Sequence, residues 1–517
     1  MINDMNNKKK STYNLIFTVF SQVIILVIGL IIPKLFITSY GSEINGLQSS
    51  IAYIYTYIAL LESGIGTATI QALYKVVINS DKKRANAILA ATHKQYNKTA
   101  WIYAVCMLCL GIIYPFTVKT QLNYWTVFFV VILSGSGSLL SFVFHGKFIL
   151  LLQADGRSYL VAILNLVQYL LKNAIKIVLI FLNVPFIYIY VGELLIGFLM
   201  AAIYGLYKRK NYFWVNYSEK PNIAAISQSK NVLVHQIANI VCNSTDVLLL
   251  TYVVKDLKLV SVYSMYILVF DAVKSLIQNI LSSVNFIMGQ TFNSNIELYR
   301  KYHRLYEIFD FMLSFSLYSI AYLLITPFLR LYTNGITDIS YIDKYLPLLF
   351  ASIKLLSSGR EPVAQLINYA GHFKETQYRA IMEAFINLAV SLVATYFWGI
   401  YGVILGTIVA LTYRTLDMYF YTSRRFLNRS VWVSIRHWLL YLIAFIVIVV
   451  LNYFLPIYAV SYFELLWKAV IVGVVVCLYF SICTFIFNID EVKGLFRIAK
   501  DFILRKRGKN EDRNINI

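Results

Sequence analysis

The sequence predicts an all-α polytopic membrane protein with fourteen transmembrane helices. Twelve of them form two parallel six-helix lobes around a central cavity, and the last two are an appended helix pair. Three observations carry this. The chain is 59% hydrophobic and only 14% charged, with a mean hydropathy of +0.66, which leaves too little polar surface for a soluble globule. Apolar stretches recur along nearly the whole length, each long enough to cross about 30 Å of hydrocarbon at about 1.5 Å per residue. Basic residues alternate between successive connections.

Because hydrocarbon offers no partner for backbone N–H and C=O groups, each stretch is read as a helix. The spans lie at 13–36, 45–73, 99–118, 125–145, 159–182, 186–207 and 231–254. They continue at 260–288, 309–332, 344–369, 377–398, 401–422, 436–455 and 464–487. The opening segment MINDMNNKKK is too polar, and the first span too long, for a cleaved signal peptide, so that span is expected to stay.

The net charge of +21 reports topology, not a nucleic-acid partner. The N-terminus, every even connection and the C-terminus hold 33 of the 46 Lys and Arg. The odd connections and outer span ends hold seven: Lys34, Lys119, Lys255, Lys258, Arg330, Lys344 and Lys468. This positive-inside asymmetry places both termini in the cytoplasm.

A weak internal repeat sets the lobes. Asn79-Ser80-Asp81 after span 2 matches Asn293-Ser294-Asn295 after span 8, an offset of 214. Pro115-Phe116 matches Pro327-Phe328, and Gly156 matches Gly371, at offsets of 212 and 215. Asn, Ser and Asp cap helix N-termini, so both basic segments are expected as short interfacial helices. Six spans per copy give both copies the same orientation and put a substrate site between them near the midplane. The expected organisation is a cytoplasmic N-terminus (1–12), an N-lobe (13–210), a cytoplasmic linker (211–230), a C-lobe (231–425), the appended pair (436–488) and a basic cytoplasmic tail (489–517).

Ionisable groups inside spans cost about 2.5–3.5 kcal/mol each and therefore face a partner or a cavity. Span 5 carries Asn165, Gln168, Lys172 and Lys176 on one stripe, with two like charges stacked and no acid in the helix. Such a stripe is a wet cavity wall and an anion contact; the bland alternatives are snorkelling of Lys176 or neutralisation by Glu193 of span 6. Span 7 carries His235, Asn239, Asn243 and Asp246 on one face, a proton or cation path, or else a set of interhelical hydrogen bonds. Glu62, followed by Gly64, Gly66 and Ala68, is a candidate coupling carboxylate or a salt-bridge partner.

Asp271 with Lys274, and Arg414 with Asp417, are three residues apart and read equally as local pairs or functional groups. In span 10, Lys354, Glu361, Gln365 and Asn368 form one stripe, with Arg360 beside it and Pro362 predicting a bend. Arg360 and Glu361 are read as a mutual pair and Lys354 as the freer base. Cys106 and Cys109 have CxxC spacing on an apolar stretch and read as packing residues, so no metal is expected. There is no Walker A motif, which excludes nucleotide hydrolysis as the energy source, and the odd connections are too short for a large external catalytic loop.

SQVIILVIGLIIPKLFITSYGSEINGLQSS and LLESGIGTATIQALYK in the opening spans, with TDVLLLTYVV and VSVYSMYILVF at the start of the second half, resemble the Wzx-type polysaccharide flippases. These belong to the multidrug/oligosaccharidyl-lipid/polysaccharide (MOP) exporter superfamily, and the resemblance covers residues 13–490. It implies a bacterial inner-membrane transporter, not an enzyme and without a cofactor. Such a protein moves an undecaprenyl-diphosphate-linked oligosaccharide to the outer leaflet by alternating access, for O-antigen, capsule or exopolysaccharide.

It further implies that Lys172, Lys176, Lys274, Lys354, Arg360 and Arg414 are cavity bases, joined by Gln168, Asn239, Asn243 and Gln365. Glu62, His235, Asp246 and Asp271 are left as candidates for ion coupling. The implied partners are the lipid-linked oligosaccharide, membrane lipids, a polysaccharide polymerase and a chain-length regulator, with no nucleic acid. A multidrug-type cation exporter and a lipid II flippase of the same superfamily stay open, with a polysaccharide polymerase or ligase behind them. The major-facilitator class is disfavoured because YKVVINSDKKRANA lacks its basic signature between spans 2 and 3.

Overall fold

The structure is a computed structural model, and it describes residues 24–489 apart from 26, 63, 80 and 227–229. The described residues form sixteen helices and no strand. The first is the short apolar α1 (Val27–Tyr40); the remainder of the first expected span, the N-terminus and the basic tail lie outside the described residues.

Eleven helices are long and apolar enough to cross a membrane, by length and composition. They are α4 (Lys82–Thr117), α5 (Tyr124–Ala154), α6 (Ser158–Phe181), α7 (Ile187–Asn211) and α8 (Lys230–Leu249, extended by a π-turn to Val254). These are followed by α9 (Leu257–Ser294), α10 (Ile296–Tyr332), α13 (Phe373–Trp398), α14 (Ile400–Thr422, extended by a π-turn to Leu427), α15 (Val431–Phe454) and α16 (Tyr462–Phe487). Each coincides with one expected span.

The second and tenth expected spans are interrupted helices. The second is α2 (Ser42–Ile58) and α3 (Ile65–Ile78), separated by a 3-10 turn at Ala59–Leu61 and by Gly64 in the left-handed conformation at φ 78°. Glycine takes that conformation without the Cβ clash that other residues meet. The tenth is α11 (Leu346–Gly359) and α12 (Glu361–Ala370), interrupted at Arg360. Pro362 has no N–H to give the Ser358 carbonyl, as the sequence predicts. The freed backbone is satisfied from neighbouring helices: Tyr419 Oη donates to the Gly359 carbonyl and Trp438 Nε1 to that of Leu355 at 3.4 Å.

The two basic segments are not separate interfacial helices. Asp81 and Asn295 do cap them, accepting from the backbone N–H groups of Arg84 and Leu298 at 3.0 Å. From there α4 and α10 run unbroken for 36 and 37 residues. Nothing in either segment stops a helix once it is started, and the following span continues it. Two of the landmark glycines share a backbone geometry. Gly156 and Gly371 both end their helices at positive φ. After each, the next N–H reaches back five residues, Arg157 to Leu152 at 2.9 Å and His372 to Ile367 at 3.2 Å, as in a Schellman motif.

The described chain divides into two units. The first holds the residues up to Met265 with Gly335–Ser340 and Thr376–Gly406; the second holds Tyr266–Asn334, Tyr341–Glu375 and Thr407 onward. In the first, Tyr hydroxyls carry much of the interhelical bonding, which matters where water is absent. Tyr55 donates to the Val131 carbonyl at 2.7 Å, Tyr103 to that of Gly135 at 3.1 Å and Tyr114 to Ser50 at 2.9 Å. Within the 211–230 connection, Trp214, Asn216 and Asn222 bond to α4. Asn86 donates to the Trp214 carbonyl at 3.0 Å and accepts from the Asn216 N–H at 3.1 Å. Burial, then the hydrogen bond to Asp155, push the Tyr212 hydroxyl up.

Small residues bring α13 and α14 into backbone contact. A Cβ at Gly402 would stand 2.1 Å from the Ala394 carbonyl carbon, and one at Gly406 2.1 Å from Ser391 Oγ and 2.5 Å from the Ser391 nitrogen. This is the small-xxx-small spacing of close-packed membrane helices. Gly406→Ala should therefore cost about 1–3 kcal/mol, read as a lower unfolding temperature of the purified protein; an unchanged temperature would refute the close contact.

Candidate functional site

Lys172 and Lys176 lie one turn apart on α6, and both reach Glu193 on α7. The Nζ–Oε distances are 3.7 Å for Lys172 and 2.8 Å for Lys176. All three side chains are partly exposed, at 28%, 15% and 21%. Neutralisation by Glu193 thus does occur, but one carboxylate serves two ammonium groups. A full positive charge is left over within membrane-spanning helices, where desolvation makes it expensive. Gly137 of α5 leaves room for Lys172, whose Nζ is 3.9 Å from where a Cβ on the glycine would stand. Gln168, one turn below, is partly exposed on the same helix.

In the second unit, Lys354 of α11 is not the freer base. Its Nζ lies 2.5 Å from Asp271 Oδ1 of α9, so Asp271 is engaged across helices. A pairing between helices is invisible to any spacing rule along one helix. Lys274 stands within electrostatic reach of Lys354, Asp271, Glu361 and Arg360, which gathers five charges from α9 and the α11–α12 interruption. Glu361 accepts from Gln365 at 2.8 Å, and Asn368 donates to Gln365 at 3.4 Å, so the stripe is a connected chain of hydrogen bonds down α12. Arg414 is 2% exposed and held by Asp417 at 3.0 Å. That burial leaves it no surface to offer a ligand.

Glu62 sits in the interruption between α2 and α3 and accepts from Tyr96 at 2.5 Å; among the described residues it has no ion-pair partner. The span 7 stripe divides. Asn239 and Asn243 are exposed and bonded to each other at 2.9 Å, and His235 Nε2 lies 3.4 Å from Thr376 Oγ1. Asp246, by contrast, is buried and accepts from Tyr263 of α9 at 2.5 Å. Among the described residues no group of three or more His, Cys, Asp or Glu is placed to hold a metal ion.

Sequence reasoning missed a buried group on α10. His303, Glu307 and Asp310 lie at spacings of four and three on one face and are 0%, 3% and 0% exposed. Glu307 is bound by Arg429 and by Ser434 at 3.0 Å, and Asp310 accepts from Ser314 at 3.0 Å. The spacing is present in the sequence, but the ninth expected span begins at 309, which leaves His303 and Glu307 in the connection and separates them from Asp310 inside the span.

No family model and no curated protein matches the sequence. Solved structures do. A lipid II flippase, MurJ, in an inward closed conformation aligns with a TM-score of 0.61 at 13% identity, over 92% of this chain and 99% of that one. The fold is the MOP exporter fold. Within the MOP fold, an inward-facing multidrug transporter of the MATE family aligns at 0.54 and 14% identity, over 79% of this chain and 98% of that one. A MOP superfamily transporter from Pyrococcus furiosus, described by a reversed polarity of its binding pocket, aligns at 0.55 and 12% identity, over 82% and 97%. The expected fold class is thereby met at the level of an all-helical, multi-pass membrane protein of MOP architecture.

Proposed function

We propose that this protein is a flippase for a lipid-linked oligosaccharide, moving an undecaprenyl-diphosphate-linked repeat unit from the cytoplasmic to the outer leaflet of a bacterial inner membrane, for surface polysaccharide synthesis. The observation that carries the reading is the sharing of Glu193 by Lys172 and Lys176. A surplus ammonium inside the membrane is a site for an anion, and a diphosphate supplies the missing charge. A multidrug exporter for organic cations would want the opposite surplus.

Lys274, Lys354, Arg360 and Gln365 supply a second basic surface, with the α11–α12 interruption as a hinge for alternating access. The membrane potential favours outward movement of each negative charge by about 2.3 kcal/mol per 100 mV, so no nucleotide is needed. The orientation, with both termini in the cytoplasm, rests on the distribution of Lys and Arg. A polymerase and a chain-length regulator would act on the exported unit.

A lipid II flippase is the second reading, favoured by the coverage of 92% against 79% for the multidrug transporter and 82% for the Pyrococcus furiosus transporter described above. The test is a deletion strain with radiolabelled lipid-linked units. Single units accumulating on the cytoplasmic leaflet, with peptidoglycan synthesis intact, are the expected result. Arrest of peptidoglycan synthesis would establish the lipid II reading instead, and single units accessible outside would replace the flippase with a polymerase.

A further inference from the structure

Three of the seven basic residues assigned to the outer side by the sequence, Lys119, Lys255 and Lys258, line one cleft of about 470 Å3 within the first unit. The positive-inside bias makes outer lysines scarce, and these three come from two connections far apart in the chain. The two carboxylates of the cleft are spent on its frame. Glu43 Oε1 accepts from Thr120 Oγ1 at 2.6 Å and from the Gln121 N–H at 2.8 Å. Asp256 Oδ1 accepts from the N–H groups of Lys258 at 2.9 Å and Leu259 at 3.3 Å. Neither makes an ion pair with a lysine of the cleft. Among the described residues, Lys258 Nζ donates only to the Asp338 carbonyl, at 3.4 Å.

Lys255 adds a second observation. It closes the π-turn after α8 at φ 58°, a conformation that asparagine or glycine takes more readily than lysine. Another π-turn, after α14, ends on Asn428 at φ 48°, as the backbone prefers. A base is kept where the backbone would favour an uncharged residue.

We propose that this cleft is an outer-face anion site for a phosphate-ester headgroup, the shared chemistry of a diphosphate-linked lipid and of an anionic phospholipid. Its outer placement rests on the orientation proposed above. The planar fork of an arginine is absent, so the site offers point charges to phosphate oxygens.

The test uses the purified full chain in phosphatidylcholine nanodiscs titrated with inorganic pyrophosphate, and in nanodiscs containing phosphatidylglycerol with retained lipid counted by native mass spectrometry. The variant is Lys119→Gln with Lys255→Asn, in which the new residue at 255 suits the backbone, so misfolding is not the expected outcome. Pyrophosphate affinity should fall at least about tenfold. Lys468→Gln, whose parent lysine is held by Glu464 at 2.7 Å and does not line this cleft, should bind as the parent does.

Loss of pyrophosphate binding identifies a diphosphate headgroup, and loss of phosphatidylglycerol retention alone identifies a bilayer lipid; either supports the site. Equal binding of both probes by parent and variant overturns it. Labelling of Lys255→Cys by a membrane-impermeant maleimide is expected in intact cells. Labelling in inverted vesicles alone overturns the outer placement, whereas the flippase reading is tested separately by export.

Discussion

Replacing both Lys172 and Lys176 with glutamine should lower export at least about hundredfold while the protein remains in the membrane at its normal level. Two charge-assisted contacts to a diphosphate contribute about 1.5–3 kcal/mol each, and about 1.4 kcal/mol is a factor of ten. The single variants should be intermediate, because each leaves one lysine to neutralise Glu193. The double variant leaves Glu193 as an uncompensated negative charge facing an anionic substrate. Adding Glu193→Gln removes that charge but supplies no base. If the triple variant regained full export, the lysines would be there for Glu193 alone and the anion-site reading would fall. Glycan display in the deletion strain, with membrane levels read by immunoblot, measures all four variants.

The second large effect is on stability. Arg429→Met should cost about 3–5 kcal/mol, since it strands the buried Glu307 carboxylate beside the equally buried Asp310. The double variant Glu307→Met with Arg429→Met should regain most of that loss, because two apolar side chains of similar length need no compensation. Thermal unfolding of the purified variants decides it. A single variant that unfolds with the parent would show that Ser434 and His303 suffice to hold the carboxylate. The pair ties the α14–α15 connection to α10 and is read here as structural.

The stripes along single helices were legible in the sequence, and so was the interruption of the tenth span. Lys172 and Lys176 one turn apart, the Glu361, Gln365 and Asn368 chain, and the bend at Pro362 follow from a period of 3.6 residues and a missing N–H. The break in the second span, drawn from the sequence as one continuous span, comes from Gly64 in the left-handed conformation. Apart from Glu193, which the sequence offers as one alternative for the span 5 lysines, the partners across helices were not legible. That Asp271 turns to Lys354, that Glu62 meets Tyr96, and that Asp246 turns to Tyr263 depend on which helices are neighbours and at what height. Nothing along a single helix records either.

The sequence by itself determined a multi-pass helical protein, because hydrocarbon permits few other structures for such apolar runs. It also predicts a duplication, because caps, prolines and glycines recur at offsets of 212 to 215. The tertiary structure alone decided which charges are neutralised. Coulomb attraction acts through space, and only the packing of α6 on α7 brings one carboxylate within 4 Å of two lysines.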